Sequence, residues 1–284
     1  MHIPVLQKEV LKYLNPKPNQ NFIDATVGNG GHTLAILEKV LPKGKVLGID
    51  WTPEMISTLP RRNNLILVCG NFANLKEIVK QKRFNQVQGI LMDLGMSSWH
   101  LEELGKGFSF LKREPLDMRY NPHNQLTAEK IVNYYSYFEL ERIFSKYGEE
   151  KFAQDIAEKI IEERKKRPIK TTLQLVEVIR QAVPKSYLRT RIHFATRVFQ
   201  ALRIAVNDEL NNLERGLAGA QEVLNKGARI VVISFHSLED RIVKNFFKSD
   251  SFQLLTKKPI IATYQEVKIN HRARSAKLRA VIKL

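Results

Sequence analysis

The sequence is short of cysteine, of acid and of long apolar runs, and each shortage closes off a class of function. A single cysteine, Cys69, among 284 residues excludes an intrachain disulfide framework and a cysteine-built zinc site, and it fits a reducing compartment. No apolar stretch approaches the roughly 18–20 residues of a membrane span. The opening His2-Ile3-Pro4-Val5-Leu6-Gln7-Lys8-Glu9 also lacks the apolar core of a secretory signal, so a cytoplasmic protein is expected. Internal repeats, low-complexity tracts and Gly/Ser linkers are missing, and a second domain must therefore be inserted compactly into the first. Acid is scarce: 29 Asp and Glu face 46 Lys and Arg, a formal charge of +17, which favours a polyanionic partner such as nucleic acid or an anionic surface.

What is present begins as an alternation of strand and helix patterns. Phe22–Ala25, Lys45–Asp50, Leu65–Cys69 and Val87–Leu94 read as strands, the last two as buried ones. Between them lie a helix over His32–Val40 and another opened by Thr52 and Pro53. Such alternation predicts an α/β domain with a parallel sheet covered on both faces. From Leu101 to Phe199 the texture turns helical, with N-cap signals at Thr127 and capping boxes at Ser136/Glu139 and Thr171/Gln174. The aromatic group Tyr134, Tyr135, Tyr137, Phe138, Phe144 and Tyr147 reads as the core of this insertion. Sheet patterns return after a helix over Asp208–Leu224, at Ala228–Ser234, near Tyr264–Ile269 and at Leu278–Leu284. The expected layout is a catalytic domain of residues 1–100 and 200–284 and a helical substrate-recognition insertion of residues 101–199.

Asp24-Ala25-Thr26-Val27-Gly28-Asn29-Gly30-Gly31-His32-Thr33 is a strand running into a glycine-rich turn that opens a helix, the context in which backbone approaches a ligand closely. Asp50, about 20 residues on at the next strand tip, is placed to accept from a ribose diol. A tight turn with an N-capping Asp is the plain reading. Dinucleotide binding competes, but Thr33 stands where its third glycine belongs, and Asp24 suits a nucleoside with an amino-acid tail, so S-adenosylmethionine fits better. Asp93 ends the fourth strand at the same edge as Asp24 and Asp50, as an acceptor or as an N-cap. In Ser234-Phe235-His236-Ser237-Leu238-Glu239-Asp240-Arg241, Ser237 with Asp240 resembles a helix cap. A Ser/His/Asp hydrolase is disfavoured because no Gly-x-Ser-x-Gly elbow surrounds the serine. His32, His100 and His236 lack metal-ligand spacing, so no metal is expected. Thirteen of the seventeen surplus charges fall in two windows, Arg180–Val206 and Lys257–Leu284, which points to a phosphate-binding surface more than to solvated helix faces.

Nine ordered blocks then carry a resemblance. They are His2–Leu6, Gly28–Thr33, Leu91–Ser98, Gly107–Phe110, Pro115–Arg119, Tyr147–Glu150, Ala195–Ile204, Ser234–Arg241 and Arg272–Ser275. Together they resemble the bacterial small-subunit ribosomal RNA cytosine-N4 methyltransferases, the MraW or RsmH family. The resemblance implies a class I (Rossmann-like) methyltransferase sheet with a helical insertion. It also implies methyl transfer from S-adenosylmethionine to the exocyclic amine of one cytidine in the decoding region of 16S ribosomal RNA, in the small subunit or a late precursor, with no membrane partner and with a homodimer left open. The cofactor set expected from loop and resemblance together is Asp24, Gly28, Gly30, Gly31, His32, Asp50, Phe72, Asp93 and His100. Asp93, with His236 and Ser234 at the cleft rim, is expected to act on the amine. Arg189, Arg191, Arg197, Arg203, Arg241, Arg272 and Arg274 are the expected RNA contacts. A methyltransferase for another nucleic-acid amine, and an assembly factor that binds cofactor and RNA without chemistry, are the alternatives.

Overall fold

The computed structural model describes residues 3–96 and 105–284. Its strands β1 (Asn21–Asp24), β2 (Val46–Asp50), β3 (Leu65–Cys69), β4 (Val87–Asp93), β5 (Leu224–Ser234), β6 (Phe252–Leu254), β7 (Ile260–Ile261) and β8 (Lys277–Lys283) form one sheet of order β3-β2-β1-β4-β5-β8-β6, with β7 also on β8. The first five pair in parallel, and β6, β7 and β8 are antiparallel. This is the expected mixed α/β architecture with a parallel-dominated sheet.

Alternation explains why the central strands are apolar throughout. Ile23, Leu47, Ile49, Ile90, Met92, Ile230 and Val232 face one core, while their chain neighbours Phe22, Val46, Leu91, Val231 and Ile233 face another. Helices α1 (Gln7–Leu14) and α2 (Gly31–Val40) supply Val10, Leu14, Ile36 and Leu37 to the second core. The helix Glu209–Val223 covers the first with Leu213, Leu217 and Ala220. Each fully buried side chain of this size contributes roughly 1.5–3 kcal/mol, so the sheet can hold a polar, glycine-rich rim. Strand β3 departs from expectation. It lies at the sheet edge, mostly half-buried, and its Cys69 is exposed.

The chain forms two compact units, residues 1–95 with 210–284, and residues 96–209. The return to the first unit lies near residue 210 rather than 200, because the amphipathic helix Thr196–Asn207 buries Val198, Phe199, Ala201 and Leu202 in the helical unit's own core. Both predicted capping boxes and the Thr127 cap are present. The aromatic group is only partly core: Phe144 is fully buried, whereas Tyr134 and Phe138 are about four-fifths exposed. Tyr264–Ile269 is a helix and not a strand. Thr263 accepts from the Glu266 N–H (3.2 Å), a helix start that outweighs the short apolar alternation.

Two glycines of the helical unit separate strain from crowding. Gly107, at φ +79°, would place a Cβ 2.2 Å from the Pro115 carbonyl oxygen, whereas Gly105, at φ +64°, has open space around it. Gly107→Ala should therefore cost about 3 kcal/mol or more and Gly105→Ala about 1 kcal/mol, as read from denaturant unfolding of the full chain. Equal costs would remove crowding as the cause.

Candidate active site

In the first unit the sheet order reverses between β1 and β4, and in a doubly wound sheet ligands occupy the crevice outside the carboxyl ends of such a pair. Asp24 and Asp93 terminate those two strands. They are locked in register by the Ala25 N–H on the Leu91 carbonyl (2.9 Å) and the Asp93 N–H on Thr26 Oγ1 (2.6 Å). Asp24 is fully buried and accepts from Thr33 Oγ1 (2.7 Å) and the Thr26 N–H (3.1 Å). Its burial still pushes its pKa up to about 6, with the charge of Asp50 adding to the rise.

Asp50 anchors the other side of the glycine-rich turn. It accepts the Gly28 N–H (2.8 Å) on one oxygen and the Thr52 N–H (2.8 Å) on the other, and burial raises its pKa against these bonds. The Thr52 hydroxyl and the Trp51 N–H bring its donors to four, about the number of acceptor positions a carboxylate has, so a ligand hydroxyl shares an oxygen with one of them. Thr52 makes no cap bond to the short helix Pro53–Ser57. The turn is shaped by its glycines. Gly28 is left-handed (φ +50°) with nothing within 4 Å of where its Cβ would stand, while a Cβ on Gly30 would lie 2.2 Å from Leu59 and one on Gly31 would lie 2.3 Å from Pro4. Gly30 and Gly31 are thus packed from within, and Gly28 borders open space that a ligand can use.

Of the three acids, Asp93 has the fewest hydrogen bonds to its carboxylate among the described residues. Its side chain is 23 % exposed, Oδ2 lies 3.7 Å from His32 Nε2, and Oδ1 is sealed from solvent with no hydrogen-bond partner among the described residues. Burial pushes its pKa up to about 7; the Arg272 guanidinium opposes that rise, and the carboxylates of Asp24 and Glu239 reinforce it. An orphaned acceptor of this kind is costly unless something completes it. A cationic ligand bearing N–H groups would do so.

Ser234 and His236 follow β5 at the same edge. Ser234 is buried and donates, at 3.4 Å, to the Lys277 carbonyl. His236 is the N-cap of the helix Ser237–Phe246, where its ring accepts from the Glu239 N–H (3.4 Å) and Glu239 reaches back to the His236 N–H (3.3 Å). The cap is therefore the pair His236 and Glu239, not Ser237 and Asp240; Asp240 instead binds Arg279 at 2.6 and 3.2 Å. Phe72 opens the turn after β3, and its ring lies where a Cβ on Gly216 would stand 2.5 Å away. His100 lies outside the described residues.

The basic candidates divide. Arg241 and Arg274 are exposed in the first unit, as are Arg189 and Arg191 in the helical one, whereas Arg272 is half-buried. Arg203 is already engaged by Glu209 through two bonds of 2.8 and 2.7 Å, and Arg197 donates to the Glu149 carbonyl. Three features escape a reading of the sequence. These are the Thr26 and Thr33 hydroxyls that position the acids, the Glu239 carboxylate near Asp93, and a clasp over the glycine turn. In the clasp Gln7 binds the Gly31 carbonyl (3.1 Å), Glu266 accepts the Leu6 N–H (2.7 Å) and Asn270 binds the Ile3 carbonyl (2.9 Å). The block His2–Leu6 was the signal for the last of these, but its partners lie some 260 residues away.

The MraW methylase family model matches residues 1–284. The ribosomal RNA small subunit methyltransferase H of Carboxydothermus hydrogenoformans is 44 % identical over 307 residues, spanning 100 % of this chain and 98 % of that protein. The proteins of the same name from Dictyoglomus thermophilum and Thermosipho melanesiensis are each 47 % identical, over 98 % of this chain and 95 % and 96 % of their own lengths. A glycine turn flanked by three carboxylates at the carboxyl ends of the parallel strands, Asp24 buried and Asp50 and Asp93 half-buried, suits a cationic nucleoside, and with the family model spanning every residue the chain belongs to the MraW methylase family of S-adenosylmethionine-dependent methyltransferases.

Proposed function

We propose that the protein methylates the exocyclic N4 amine of a cytidine in the decoding region of 16S ribosomal RNA, acting on the small subunit or a late precursor. The observation that carries the chemistry is the orphaned Oδ1 of Asp93 at the reversal point. The relatives' names support ribosomal RNA of the small subunit as the substrate class. When bound, S-adenosylmethionine supplies an electrophilic sulfonium methyl group. Asp50 would take the ribose hydroxyls, Asp24 would face the ammonium group across the glycine turn, and Gly28, Gly30, Gly31, His32 and Phe72 would line the rest.

The protein's task is alignment more than activation. A cytosine amine is conjugated with its ring, so its lone pair must be drawn out before it can attack carbon. Asp93 accepts an N–H of that amine, favours its pyramidal form and takes the surplus proton once the N–C bond has formed. Ser234 and His236 hold the rim that Asp93 faces, each fixed by the backbone bonds described above. The target base has to leave its stack to enter the crevice, which suits an opened or single-stranded RNA site gripped by exposed arginines of the first unit such as Arg241 and Arg274; Arg189 and Arg191 are phosphate-binding candidates of the helical unit by itself.

Incubation with labelled S-adenosylmethionine and small subunits from cells lacking the enzyme, followed by nucleoside analysis, should yield N4-methylcytidine. Another methylated nucleoside would redirect the substrate assignment, and tight cofactor binding without transfer would favour an assembly factor. Asp93→Asn should lower kcat roughly 10²–10⁴-fold. The acceptor must be ionised, so activity rises with pH through the Asp93 pKa. The ascending limb of kcat/KM should lie near 7, and that of kcat should lie lower, because the bound sulfonium favours the carboxylate. A flat profile across this range would remove Asp93 from the proton step. Cofactor binding should also release protons between pH 6 and 7, where Asp24 and Asp93 are only partly ionised in the free protein. Calorimetry in buffers of different ionisation enthalpy measures this, and S-adenosylhomocysteine, without the sulfonium charge, should release fewer; identical enthalpies in all buffers would contradict it.

A further inference from the structure

The chain from the end of β7 to β8 displays exposed apolar side chains. Tyr264 is 84 % exposed, Ile269 70 % and Ile261 66 %. Their exposure follows from how the helix Tyr264–Ile269 is fastened. Glu266 and, one turn on, Asn270 hold residues 3–6 through the Leu6 N–H and the Ile3 carbonyl, and Val267 packs against the sheet-face core. Tyr264 and Lys268 share the opposite side at the same four-residue spacing, roughly 200° around from Glu266 and Asn270. One side of the helix is pinned, so the tyrosine ring is held out toward solvent.

The exposed charge carried by this stretch of chain is of one sign. Lys257, Lys258, Lys268 and Arg274 are exposed. Glu266 is the only acid from 257 to 284, and its carboxylate already accepts the Leu6 N–H. The five-residue turn that follows, His271–Ser275, carries Arg272, whose charge is felt at Asp93, so this segment leads directly to the crevice. A flat ring among unbalanced cations matches a single nucleic-acid strand, with phosphates for the cations and an unstacked base for the ring. An anionic membrane would call for a longer apolar helix face than this six-residue helix offers.

We propose that the exposed side of the helix Tyr264–Ile269 docks single-stranded RNA flanking the target cytidine, with Tyr264 stacking on one base. This rests on the RNA methyltransferase reading above. The test is steady-state methylation of the same small subunits, paired with binding of a short fluorescent oligouridylate to the full chain. Tyr264→Ala should raise KM for subunits about tenfold and weaken oligonucleotide binding to match, with kcat, S-adenosylmethionine affinity and thermal stability unchanged, while Tyr264→Phe and Tyr264→Trp stay within about twofold of the wild type. Tyr264→Leu should behave like alanine.

Unchanged KM and oligonucleotide affinity in Tyr264→Ala would overturn the proposal. Rescue by leucine would also overturn it, by marking a merely apolar contact. So would loss of binding to phosphatidylglycerol vesicles with RNA affinity intact, the sign of a membrane surface. If the wild-type protein methylates no subunit RNA, the functional reading fails separately, and the oligouridylate measurements still decide the role of Tyr264.

Discussion

Everything at the candidate active-site edge depends on the join between β1 and β4, where two parallel strands bring the buried Asp24 and the half-buried Asp93 to one crevice. Parallel pairing alone sets only the register. The edge is finished by Thr26, whose hydroxyl takes the Asp93 N–H, and by Thr33, whose hydroxyl binds Asp24. These bonds satisfy Asp24 but leave Oδ1 of Asp93 without a partner among the described residues; burial raises both pKa values, with Asp50 adding to the rise at Asp24 and Asp24 adding to that at Asp93. The site is thus arranged at a cost that a cation repays on arrival. The cores on both sheet faces make such a cost tolerable, because the strands beneath are buried throughout.

Much of the sheet was legible because its determinants are local. Alternating apolar strands separated by amphipathic helices can close only as a covered parallel sheet, and Gly28 to Thr33 could be placed at a strand-to-helix turn from composition alone. The acids at 24, 50 and 93 followed from their positions at strand ends. What the local pattern hid was set by distant partners. The Tyr264–Ile269 segment alternates like a strand, yet Thr263 and Glu266 start a helix there. Leu65–Cys69 is apolar enough for a central strand, but β2 is its only neighbour in the sheet and the edge leaves it half-covered.

The site residues show the same division. Asp93 was readable as a chemical group, whereas its proton affinity is set first by burial and then by the charges of Arg272, Asp24 and Glu239, the first and last of these more than 140 residues away in sequence. In His236 one ring nitrogen caps a helix, which the sequence did not reveal, and the other, Nε2, lies 3.1 Å from Glu239 Oε1. Arg203 counted toward a basic window, yet Glu209 neutralises it through a bidentate pair. Charge summed along a window therefore overstates the charge a surface offers, since pairing is decided in three dimensions.

The clasp over the glycine turn has a consequence for how the protein is made. Residues 3–6 lie beside that turn, and two of the groups that hold them, Glu266 and Asn270, are synthesised some 260 residues later. The sheet's first four strands are all made before those two groups exist, and until then Gln7 is the side chain that ties this segment to the Gly31 carbonyl. Completion of the clasp thus waits for a segment that follows all five parallel strands. A nascent chain that stops short of it would carry the glycine loop and its acids with only part of the cover that fixes them.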